Sequence, residues 1–148
     1  MTVKTPFHHF ETNKQKEQEG VWVDYGDYGF LVQRVGPSNK DWVKQLNLAM
    51  LPHRKKYQNG EIPDDVADNI VRTVFCKHGV NNWRCRTEPK ADWQLGKMLD
   101  KKGELVQFSE EEAERLFIQL PDLFNDLYQE SVLRANFLAE QDEDIAGN

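Results

Sequence analysis

The chain has 148 residues, of which 39% are hydrophobic and 30% charged, with 25 acids against 19 Lys and Arg for a formal charge of −6. That length suits one domain with one core, and four Trp among 11% aromatics exclude a wholly disordered chain. The acidic balance lacks the positive field of nucleic-acid binders, no apolar run approaches the roughly 18 residues of a membrane span, and two cysteines make no disulfide framework.

The first 20 residues contain no apolar stretch of the kind a secretory signal needs, so an intracellular, soluble protein is expected. Residues 1–18 read as a flexible tail, since the run from Glu11 to Glu19 has no apolar period. Val21 to Tyr25 and Tyr28 to Val35 read as strands joined by a Gly26-Asp27 turn of type II′ character, which predicts a β-hairpin. Ser38 reads as an N-cap with Asp41 three residues on, followed by Trp42, Leu46, Ala49 and Met50 at helical spacing until Pro52. Pro63-Asp64-Asp65 opens the strongest helix signal, carried by Val66, Ile70, Val74 and His78 and stopped by Gly79.

From Val80 to Val106 the pattern is broken by Asn81-Asn82, Pro89 and Gly96. Glu104 to Phe108 reads as a short strand. Ser109 with Glu112 forms a capping box ahead of Ala113, Leu116, Phe117 and Leu120, and Pro121 restarts the helical pattern through Leu127 and Tyr128 to about Ala139. The predicted organisation is a single globular domain over 19–140 with an acidic tail over 141–148. The predicted fold class is α+β, mainly α: an N-terminal β-hairpin packed on about four or five helices.

Charge is distributed unevenly. From Arg34 to Tyr57 six basic residues accompany one acid, Asp41, a local +5, whereas Ser109 to Asn148 holds eleven acids and two bases, a local −9. Such runs are ordinary solvated faces, or complementary surfaces for docking and self-association.

Catalytic chemistry finds no support in the motifs. GxSxG, HExxH, P-loop and GxGxxG patterns are missing. Cys76 and His78 are two apart on a helix and point to different sides, and with Cys85 they lack zinc-knuckle spacing, so no metal site is expected. Asp64-Asp65 and Glu110 to Glu112 read as acids at helix N-termini. No cofactor is expected. His53-Arg54-Lys55-Lys56, with Trp42 and Tyr57 nearby for stacking, is the one basic cluster that suits nucleic acid. Leu116, Phe117, Leu120, Leu123, Phe124, Leu127, Tyr128 and Phe137 are dense apolar residues in an acidic segment, suited to a core or to a groove for a partner helix.

Several segments together resemble the tail assembly chaperones of long-tailed phages: GVWVDYGDYGFLVQR from Gly20, LPHRKKY from Leu51, PDDVA from Pro63, and the turn, strand and cap from Gly103 to Ser109. The clearest are LPDLFNDL from Leu120, RANFLAE from Arg134, and the Gly147-Asn148 end. The segment from Arg84 to Asp100 is longer than in that family, and nothing is carried over to it. The resemblance implies a non-enzymatic assembly factor of the host cytoplasm, absent from the mature virion. Such a factor binds the tape measure protein, keeps it soluble and promotes polymerisation of the tail tube protein around it. Its partner-binding residues are expected among the eight apolar residues from Leu116 to Phe137. The alternative expectation is a small phage-encoded regulatory nucleic-acid-binding or inhibitor protein.

Overall fold

The computed structural model describes residues 3–61 and 64–139; the expected helix start at Pro63 and the acidic tail over 141–148 lie outside the described residues. Two short helices, α1 (Pro6–Phe10) and α2 (Lys14–Glu19), come first, although this polar stretch has no apolar period. Asn13 caps α2, and Glu17 pairs with Arg34 at 3.0 Å. Thr12 bridges to Leu138, joining the two ends of the described chain.

β1 (Val21–Asp24) and β2 (Tyr28–Val32) pair antiparallel, and the Tyr25 N–H donates to the Tyr28 carbonyl across the turn. Gly26 opens that turn with φ +87°, a value that favours glycine. The two strands do not form a free-standing hairpin. β2 also pairs with β3 (Val80–Cys85), which pairs with β4 (Gln94–Leu95), giving a four-stranded sheet in the order β1-β2-β3-β4. A separate two-stranded sheet joins β5 (Lys97–Leu99) to β6 (Leu105–Gln107). The expectation of a mainly α domain with an N-terminal hairpin on helices is therefore overturned. The fold is mixed, 52% helix and 19% strand, around a mid-chain sheet.

The physical reason lies in β3. Val32 is opposite Val80 and Leu31 is opposite Asn82, so Asn81 is an extra residue in the ladder. This irregularity puts Val80, Trp83 and Cys85 on the buried side without strict alternation, which hides the strand from a period-two reading. On the opposite side of the sheet, Gly29 leaves room for Arg84 to cross to Asp24, since a Cβ at Gly29 would collide with the Asp24 carboxylate. The Arg84 guanidinium bonds Asp24 Oδ2 at 2.8 Å and lies between the rings of Trp22 and Trp93, at 4.1 and 4.3 Å.

α3 (Lys40–Met50) is capped by Asn39, whose side chain accepts from the Trp42 N–H at 3.0 Å; the expected cap Ser38 is one residue too early. A 3-10 turn over Leu51–His53 leads into α4 (Arg54–Gln58). α5 (Asp64–His78) lies between α3 and α6 (Glu110–Gln119), and α7 (Pro121–Val132) follows after a single non-helical residue, Leu120. The core joins the sheet to these helices through Phe30, Phe75, Trp83 and Phe117, all fully buried, with ring centroids of successive neighbours about 6 Å apart.

Ser109 caps α6 as expected, its hydroxyl accepting from the Glu112 N–H at 3.1 Å. The Glu112 carboxylate turns to Arg115 at 2.8 Å, so the cap satisfies one orphan donor through the Ser109 hydroxyl. Ser109→Ala is expected to lower stability by about 1 kcal/mol, read as a shifted urea midpoint at constant slope. An unchanged midpoint would mean that α6 does not depend on this cap.

Candidate functional site

α6 and α7 meet at Leu120, whose φ of −125° and ψ of 74° break the helix, while Pro121 begins α7 with its fixed φ. The corner turns the Leu120 side chain outward, 49% exposed, and opens a groove against the sheet. The groove has a volume of about 510 Å³. Its floor is Phe30 and Met98, both buried. Leu116, Leu120 and Leu123 form one wall, Tyr28 and Leu99 the other, and Gln119 and Asp122 supply its polar edge.

The Tyr28 wall is braced from behind. Its ring stacks on Tyr25 at 5.5 Å, and the Tyr25 hydroxyl donates to Asp126 Oδ2 at 2.5 Å. Burial first, then the hydrogen bond to Asp126, pushes the Tyr25 phenol above its usual value, so it remains a donor across the neutral range. Asp122 gives this end of the groove a negative edge, and Asp126, one turn further along α7, accepts the Tyr25 hydroxyl behind the wall.

The eight apolar residues expected to bind a partner are divided by the corner. Leu116, Leu120 and Leu123 line the groove. Phe117, Leu127 and Phe137 are sealed at 1%, 0% and 0% exposure. Phe124 and Tyr128 are half-buried and pack edge-on to Phe75, at 5.7 and 5.5 Å. Tyr28, Met98 and Leu99 complete the groove and were not anticipated. Met98-Leu99 falls in the segment with no readable period, and Tyr28 is marked in sequence only by its place at the turn.

Other sequence candidates are placed differently. Trp42 is buried against Phe75 and Tyr128, so it offers no stacking surface beside the basic cluster. Cys76 and Cys85 are buried thiols, and among the described residues no group of three or more His, Cys, Asp or Glu is arranged to hold a metal. No described helix is long and apolar enough to cross a membrane.

Burial pushes the Cys76 thiol up to about 12, and burial also raises Cys85 and Tyr128. The native state holds these protons more tightly than the unfolded chain does. Their contribution is therefore complete below the usual thiol pKa and is lost as pH rises toward 12. Cys76, the thiol with the largest rise, should contribute most of that loss. Denaturant midpoints should fall steadily from about pH 8 to pH 11, and a flat profile would show that the thiols ionise as freely as in the unfolded chain.

No curated protein and no solved structure matches the chain. A family model does match, over residues 38–148, a span that takes in α3 and both helices of the groove corner. That family is described as the YdaY prophage protein, which makes the chain phage-derived. On a match over well more than half of its length, the chain belongs to the YdaY prophage protein family.

Proposed function

We propose that this prophage protein is a tail assembly chaperone. It acts by binding rather than catalysis, holding the long helical tape measure protein soluble in the host cytoplasm until tail tube subunits assemble around it. It then leaves, so it is absent from the mature virion. The observation that carries this reading is the groove: Leu120, Pro121, Asp122 and Leu123, within the segment most similar to tail assembly chaperones, form its corner. A half-open apolar channel with one acidic edge suits an amphipathic helix, whose apolar side chains fill the floor while basic neighbours meet the edge.

The test is co-expression of the chain with a tape measure protein from the same prophage. With the chain present, the tape measure protein should stay in the soluble fraction and co-purify with it. A tape measure protein that remains insoluble and does not co-purify would end this reading.

A further inference from the structure

On the face of α3 turned away from the core, Lys40, Lys44 and Leu48 follow four residues apart with Val43 beside them, and Leu51 in the 3-10 turn and Arg54 in α4 extend the row. Leu48 and Leu51 are 53% and 52% exposed, and Val43 is also exposed. Among the described residues none of Lys40, Lys44 and Arg54 has an acidic partner within salt-bridge distance. The other side of the helix is committed to the core through Trp42, Leu46 and Ala49. A helical face with three apolar side chains flanked by three cations complements the groove, with its apolar walls and the Asp122 carboxylate at its edge.

We infer that the α3 face of one copy seats in the groove of a second copy, covering the groove until a helical partner displaces it. This rests on the reading of the groove as a helix acceptor. Face and groove are different surfaces of the molecule, so the contact is heterologous and adds copies one after another. The occupant is a second copy because charge complementarity joins two surfaces of one chain: Lys40, Lys44 and Arg54 flank the face, and Asp122 stands at the edge of the groove. Exposed charges are screened beyond about 8 Å at physiological salt, so the association is strongest at low ionic strength.

Sedimentation of the full chain tests this. At low salt the average mass should rise above the 17.3 kDa monomer as concentration increases, and fall back toward it at high salt. Lys44→Glu on the face and Asp122→Lys in the groove should each weaken association about tenfold or more, since each turns attraction into repulsion. Both positions are exposed, so each variant should keep the wild-type circular dichroism spectrum. In a mixture of the two variants the intact face meets the intact groove and the two reversed surfaces are again opposite in charge, so association should recover above that of either variant alone. A wild-type chain that is monomeric at every concentration at low salt overturns the inference. So does association that neither variant weakens, or a mixture that stays monomeric. Lys44→Glu leaves the groove intact and should still keep the tape measure protein soluble. If self-association is missing while solubilisation holds, the inference falls alone; if self-association is found without solubilisation, the chaperone reading falls instead.

Discussion

Phe117→Ala should destabilise the domain by roughly 3–5 kcal/mol, a large share of the roughly 5–15 kcal/mol that holds a typical domain folded. Phe117 is the point where sheet and helices meet. Its ring lies 5.9 Å from Phe30 on β2, 6.3 Å from Phe75 on α5 and 5.8 Å from Phe124 on α7. Removing it leaves a cavity bordered by three elements that are each held elsewhere, so none can move in to fill it. Urea unfolding should show a lower midpoint with an unchanged slope. A loss below about 1 kcal/mol would mean that the site collapses around the smaller side chain, and that the sheet and α6 are less tightly joined than their ring contacts indicate.

What could be read from the sequence depended on whether a signal was local. The α6 cap was legible because Ser109 and Glu112 carry it within one turn, and the two hairpin strands were legible because Gly26 marks their turn. At the start of α3, Ser38 and Asn39 are both good caps, and only the bond from the Trp42 N–H to Asn39 distinguishes them. β3 was hidden by the extra residue Asn81, and with it the four-stranded sheet that changed the fold class. The bonds that join the two sheets are similarly non-local: the Gly96 carbonyl accepts from the Phe108 N–H at 2.8 Å and from Trp83 Nε1 at 3.2 Å. The site was half legible. Helical spacing marked the apolar stripe from Leu116 to Leu127, but the change of direction at Leu120 divides that stripe between core and groove. The facing wall comes from Tyr28 and Leu99, distant in sequence and brought near only by the completed fold.

That division leads to the prediction on which the chaperone reading depends most. Leu120→Ser should change stability by less than about 1 kcal/mol, because the side chain is already half in water and packs on little that would be left empty. It should nevertheless return the co-expressed tape measure protein to the insoluble fraction, since Leu120 stands at the mouth of the groove, where an entering helix must pack. Leu127→Ala, only seven residues on but fully buried, should behave in the opposite way. It should cost about 2–5 kcal/mol of stability, and its solubilisation defect should disappear at a lower temperature where the variant is folded. If Leu120→Ser keeps the tape measure protein soluble as well as the wild type does, the groove is not the binding surface. If its solubility defect appears only together with a fall in the urea midpoint, Leu120 acts through stability, and the corner of α6 and α7 is a structural joint rather than a site.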